Sequence, residues 1–233
     1  MMTPRGLNRH AAQKLLAKTR RDRSIIGRID AFSKHFIGSP YQPFPLIGSA
    51  DTPEVLVASL DRFDCVTYIE TVLALAHASS VNGFIEWLRK IRYEHGRIEW
   101  RTRNHYMTGW IRNNLRNGTL GGIRVSSMPT ISRKRVLNVI SGLSARRAIV
   151  KCVPKTALSQ LARYLLSGDL IFFASTRKNL DFFHAGIIAR NGEQLLVRHA
   201  SRSQGGVVEQ ELNDFIKANR MAGLVVVRPK HRT

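Results

Sequence analysis

A chain of 233 residues, 43% of them hydrophobic, is long enough for one sizeable core, and no shift in composition marks a second domain. Lys and Arg number 37 against 16 Asp and Glu, a net charge of +21 spread along the chain, so polyanions will adhere to this surface. Two cysteines exclude a disulfide framework, no apolar run reaches the roughly 18 residues of a membrane span, and the basic start has no apolar segment to serve as a secretory signal.

Residues 1–24 read as a loose basic arm, helical in part around Ala11, Leu15 and Leu16, ahead of a single domain over 25–233. From Ile25 to Ile37 the apolar positions Ile25, Ile26, Ile29, Phe32 and Phe36 share one helical side, and Gly38-Ser39-Pro40-Tyr41-Gln42-Pro43 then breaks the helix. The next helix is the central one. Asp64 is a good N-cap, and after Cys65 the residues Val66, Ile69, Val72, Leu73 and Ala76 recur at the spacing of one buried face. Cys65 therefore opens a buried helix, where unpaired backbone N–H groups and the helix dipole favour an anion and so a thiolate nucleophile. The competing reading is an inert buried cysteine, which is how Cys152, within the apolar run Ala148 to Val153, reads.

Val81 to Arg92 is expected as a further helix, with Phe84, Trp87, Leu88 and Ile91 on one face. The loop-like stretch Ile98 to Asn114 interleaves Trp100, Tyr106 and Trp110 with Arg, Asn104 and His105, the residue types of a sugar or peptide groove or equally of a half-buried surface. Residues 120–153 read as strands with basic turns; 131–151 hold six basic and no acidic residues. Further strands are expected at Leu170 to Phe173, Gly206 to Gln210 and Leu224 to Val227, with a short helix at Asn213 to Ala218.

Between them lies a hairpin. Asn191-Gly192 is a strong turn signal; with these two as the loop, Arg190 faces Glu193, and counting back sets His184 opposite His199. Opposed residues have Cβ atoms roughly 4.5 to 5.5 Å apart, so one imidazole can orient the other, on a face shared with Ile188, Leu195 and Val197 on which the Cys65 helix could pack. A thiol, an imidazole to share its proton and a third polar group to fix the imidazole are the set that cysteine hydrolases need. One Cys and two His could instead hold zinc, but the close Cys/His pairs typical of zinc sites are absent, so no metal is expected.

Gly38-Ser39-Pro40-Tyr41, Phe63-Asp64-Cys65, Gly168 to Phe173, His184-Ala185-Gly186-Ile187 and His199-Ala200-Ser201 occur in the order found in NlpC-type, papain-like cysteine peptidases of bacterial cell walls, which the chain resembles. A narrower resemblance is to N-acetylmuramoyl-L-alanine amidases of that superfamily. It rests on Asp64 to Thr67 with Tyr68 and Glu70, and on His105, Tyr106, Met107 and Trp110; Gly109 stands where Asp is expected. The resemblance implies an α+β, papain-like NlpC-type fold, an antiparallel sheet against the helix of the catalytic cysteine. It also implies catalysis by Cys65, His184 and His199, with no cofactor. Tyr41 would lie beside the cysteine, and Asp64, Asn104, His105, Tyr106, Trp110 and Ser201 are the further substrate-binding candidates.

The expected reaction is hydrolysis of the amide between muramic acid and L-alanine in peptidoglycan fragments, through an acyl-enzyme. Alternatives are a γ-D-glutamyl-diaminopimelate endopeptidase, an acyltransferase using the same Cys/His site, or a basic polyanion-binding module with no enzyme activity. The expected partner is a muramyl-peptide substrate, with non-specific polyanion binding and a monomeric state; lack of a Sec signal points to the cytoplasm or to export by a specialised route.

Overall fold

The computed structural model describes residues 4–19, 22, 24–123 and 128–230. The parts of the expected basic arm at 1–3, 20, 21 and 23, and of the basic strand region at 124–127, lie outside the described residues.

Helix α1 (Arg9–Lys18) is capped by Asn8, whose side chain accepts from the Ala11 N–H. Its Ala12, Leu15 and Leu16 are buried in the main core, so this part of the expected arm is docked rather than loose, because three apolar positions on one face suffice to hold it. Helix α2 (Ile25–His35) follows under a Ser24 cap, α3 (Cys65–His77) starts where the Asp64 cap predicts, and α4 (Val81–Arg92) starts under Ser80. Every residue of α3 from Thr67 to Ala76 is buried, the mark of a helix surrounded on all sides. Its neighbours are α2, α4 and two strands of the sheet.

Residues 98–114 are less loop-like than expected. Met107–Arg116 form helix α5, with Met107, Trp110, Ile111 and Asn114 buried at helical spacing. Then come β1 (Leu120–Gly122), β2 (Ile131–Leu137), β3 (Arg146–Cys152), the short α6 (Leu158–Ala162), β4 (Leu170–Ala174), β5 (Phe182–Asn191), β6 (Gln194–Ser201), β7 (Gly206–Glu211), α7 (Leu212–Ala218) and β8 (Gly223–Pro229). Six strands form a wholly antiparallel sheet in the order β1-β8-β4-β5-β6-β7, and β2 and β3 pair as a separate ribbon. The architecture is α+β.

The sheet is covered on both faces. Phe172, Ala174, Ala185, Ile187 and Ala200 point to the core that contains α3. Ile171, Phe173, Ile188 and Val197 point the other way, into a second core with Leu161 of α6 and Phe215 and Ile216 of α7. The layer of Ile188, Leu195 and Val197 therefore receives α7 and not the Cys65 helix, which takes the opposite face, where two alanines let it approach closely.

Candidate active site

Cys65 is the first residue of α3 and is partly exposed. Asp64 fixes the helix start: one carboxylate oxygen accepts from the N–H groups of Val66 (3.1 Å) and Thr67 (2.7 Å) and from the Thr67 hydroxyl (2.8 Å), and the Asp64 N–H donates back to Thr67 Oγ1 (3.0 Å). This reciprocal capping box uses one Asp64 carboxylate oxygen and fixes the helix start that carries the cysteine. The backbone N–H groups of Cys65, Val66 and Ala185 point at the sulfur. Ala185 lies just beyond the last β5–β6 ladder pair, Ile187 with Arg198, so the sulfur meets the sheet where these two strands end their pairing.

The hairpin differs from its expected register by two residues. Asn191 pairs with Gln194, leaving Gly192 and Glu193 as the loop, and Gly192 has the positive φ of +58° that a turn with glycine first requires. A slip of two preserves the face, whereas a slip of one would have reversed it. His184 and His199 thus remain on one side as diagonal neighbours, and their rings meet: His184 Nε2 lies 2.7 Å from His199 Nδ1, and His199 Nε2 lies 3.1 Å from Gln210 Oε1. Gly186 lets the strands close around this pair, since a Cβ there would stand 2.6 Å from a Val197 methyl and 3.0 Å from the Arg198 carbonyl oxygen. Phe215 of α7 backs both imidazoles, with ring centroids 5.5 Å from His184 and 5.1 Å from His199.

Burial sets the charge state. It pushes the Cys65 thiol up to about 12, with the Asp64 charge adding to the rise and the three N–H groups opposing it. It pulls His184 down to about 3, helped by the positive charge His199 would carry, and lowers His199 as well. Burial thus opposes the helix-end N–H groups that would favour a thiolate. The site rests as a neutral thiol and neutral imidazoles, with no hydrogen bond between the sulfur and the His184 ring.

Tyr41 reaches the same place. Its N–H donates to the Gly205 carbonyl (2.8 Å), and its segment bridges to Phe63, two residues before Cys65. Burial first, then the charges of Cys65 and Asp64, raise its hydroxyl pKa, while Arg202 opposes them. Arg202, Gln210 and the Ala185 N–H were not among the sequence candidates. Gln210 alone had a readable signal, as a polar residue on a strand next to His199.

Other candidates sit elsewhere. Trp110 is fully buried with its indole N–H on Glu70 Oε1 (3.1 Å), and Glu70 also holds Arg92 Nε at 2.7 Å; Trp110 is a core side chain with no surface to offer a ligand, a correction to the expectation for it. Ser201 is buried and accepts from the Gln204 N–H at 3.3 Å, serving the β6–β7 turn. Asn104, His105 and Tyr106 line a separate cavity. There Asn104 donates to the Arg92 carbonyl (3.0 Å), His105 Nε2 lies 2.7 Å from the Trp100 carbonyl, and the Tyr106 hydroxyl accepts from the Ile140 N–H (3.2 Å). Among the described residues no group of three or more His, Cys, Asp or Glu could hold a metal ion, and no helix is long and apolar enough to cross a membrane.

The AmiA-like family, described as N-acetylmuramoyl-L-alanine amidase-like, matches residues 31–224. A crystal structure of a Legionella pneumophila protein superposes with a TM-score of 0.84 at 22% identity, covering 95% of this chain and 94% of that one. An N-acetylmuramoyl-L-alanine amidase from Bacteroides uniformis superposes with a TM-score of 0.74 at 27% identity, covering 89% of this chain and 99% of its own. No curated protein matches the sequence.

Proposed function

The chain belongs to the N-acetylmuramoyl-L-alanine amidase-like family, and from that premise we propose that it is a cysteine amidase of papain-like, NlpC type, with Cys65, His184 and His199 as its catalytic set. The observation that carries this reading is the chain of contacts from Gln210 through His199 to His184, ending one residue from the Ala185 N–H that faces the Cys65 sulfur.

The bond would be the amide between the lactyl group of muramic acid and L-alanine. With His184 Nε2 committed to His199, its Nδ1 is left to take the thiol proton as the substrate carbonyl arrives. Sulfur adds to the carbonyl carbon, and the backbone N–H groups at the start of α3 supply hydrogen bonds to the oxyanion. The imidazolium then protonates the alanine nitrogen, the C–N bond breaks, and the peptide leaves. Water, deprotonated by the same imidazole, hydrolyses the thioester to release the sugar acid and restore the thiol. His199, fixed by Gln210, orients His184 throughout. Tyr41, beside the sulfur, offers its hydroxyl to the substrate carbonyl region.

Mass spectrometry of products from a defined muramyl tripeptide tests this. Wild-type protein should liberate the intact tripeptide and Cys65→Ala should liberate none. Cleavage within the peptide would point to a γ-D-glutamyl endopeptidase, and cleavage by Cys65→Ala at the wild-type rate would overturn the cysteine mechanism.

A further inference from the structure

The β2–β3 ribbon stands outside the six-stranded sheet and shows one face to solvent. Its other face is anchored: Arg135, Leu137, Val150 and Cys152 are buried, the Val136 N–H donates to the Lys178 carbonyl (3.0 Å), and Val153, just past β3, exchanges backbone hydrogen bonds with Leu224 of β8 (2.9 and 2.8 Å). The outer face is therefore held in one orientation. On it the register sets Ser132 opposite Lys151, Lys134 opposite Ile149 and Val136 opposite Arg147.

Val136 is 49% exposed and Ile149 66%. They are diagonal neighbours, about 7–8 Å apart, and make one aliphatic spot. Lys134 and Arg147 occupy the other diagonal, and Lys151 follows Ile149 on the same side of β3. None of these three cations has a carboxylate partner among the described residues, and 131–151 holds six basic and no acidic residues.

Two aliphatic side chains flanked by cations match a partner that is anionic at its surface and apolar just beneath. A bilayer containing anionic phospholipid has that layering: its headgroup phosphates meet the ends of the long Lys and Arg side chains, and its acyl chains receive apolar groups. A nucleic acid matches the charge alone, because its backbone offers phosphates without an apolar layer and the ribbon's outer face has no aromatic ring on which a base could stack.

We propose that the outer face of the β2–β3 ribbon docks the protein on anionic lipid bilayers, with Val136 and Ile149 entering the boundary between headgroups and acyl chains and Lys134, Arg147 and Lys151 contacting lipid phosphates. No residue of the Cys65 site takes part, so the docking face stands or falls independently of the amidase reading.

Cosedimentation with vesicles of phosphatidylglycerol and phosphatidylcholine, against vesicles of phosphatidylcholine alone, measures docking. Wild-type protein should bind the anionic vesicles at least tenfold more tightly. Each Lys or Arg close to an anionic surface strengthens binding about fivefold, so K134Q/R147Q/K151Q should weaken it on the order of a hundredfold. K14Q/K18Q/K34Q removes the same charge from α1 and α2 and should weaken it far less; equal weakening would mean that net charge alone acts and would overturn the proposal. V136T/I149T keeps the charge and the β-branched shape, and should weaken vesicle binding at least about fivefold while leaving binding to duplex DNA unchanged. The altered side chains are exposed, and circular dichroism checks that each variant folds. Equal binding to the two kinds of vesicle, or vesicle binding undiminished in V136T/I149T, would overturn the proposal. An equal loss of DNA binding in V136T/I149T would assign the face to nucleic acid and overturn it as well.

Discussion

At the scale of the residue, the proposed mechanism makes solvation around Cys65 and His184 decisive. Because burial lowers His184 below the usual 6.5, to about 3, the imidazole stays neutral and able to accept a proton well into the acid range. The acid limb of kcat/KM should therefore lie below about pH 5.5, since that limb reports the base in the free enzyme. Half-loss at pH 6.5 would contradict it. Because the thiol is pushed up to about 12, alkylation of Cys65 by iodoacetamide in the free protein should keep rising past pH 9, and a plateau below pH 7 would mean a resting thiolate. Gln210 Oε1 meets His199 Nε2 and also accepts from Gln204 Nε2 (2.9 Å), so it acts through His199 as a positioning residue: Gln210→Ala should lower kcat by at least about tenfold with KM little changed and move the acid limb, while Gln210→Glu restores an acceptor. The helix start at Cys65 and the shared face of His184 and His199 were legible because cap chemistry and strand alternation are local. The thiol's protonation was not, since desolvation depends on what the rest of the chain places over the sulfur.

At the scale of the element, the hairpin shows what sequence can and cannot specify. Asn191-Gly192 identifies a turn, but with Gly192 opening the loop the ladder slides by two, and strand parity keeps both histidines on one face. Gly186→Ala should cost activity before it costs fold, because its Cβ would push Val197 and the His199 strand aside. Loss of the 2.7 Å contact between the imidazoles, read from histidine ring resonances by NMR, checks this. Helix α5 was missed because its buried face mixes Met107, Trp110 and Ile111 with Asn113 and Asn114, so the helical period was weak and the tryptophan looked like a ligand platform. That tryptophan belongs to a buried ion pair. Glu70 and Arg92 are each 2% exposed, so Glu70→Ala strands a buried guanidinium and should cost about 3–5 kcal/mol. For a chain of this size each kcal/mol lowers Tm by roughly 2–4 °C, which calorimetry reads. A loss under 1 kcal/mol would mean that water reaches the pair.

At the scale of the whole molecule, the +21 charge is a surface property separable from catalysis. On the β2–β3 ribbon, Lys134, Arg147 and Lys151 share the solvent face with Val136 and Ile149, because Lys134 pairs with Ile149, Val136 with Arg147 and Ser132 with Lys151. Non-specific DNA binding should weaken steeply with salt, and K134Q/R147Q/K151Q should make the log-log salt dependence shallower by up to about 3, one counterion for each lost phosphate contact. Amidase activity should be unaffected by that change. The overall plan of an antiparallel sheet beside a buried helix opened by a cysteine was readable from periodicity and motif order. The division of the sheet into two covered faces, with α3 on one and α7 behind the histidines on the other, was not, since alternation says which residues share a face and leaves open which helix covers it.

Intact-mass analysis of protein quenched during turnover of a muramyl tripeptide tests the covalent mechanism most directly. The mechanism predicts a muramoyl adduct, sugar acid less water, on the tryptic peptide containing Cys65, absent from Cys65→Ala and discharged by hydroxylamine. A peptidyl adduct on that cysteine, or steady hydrolysis by a Cys65→Ala protein, would contradict it.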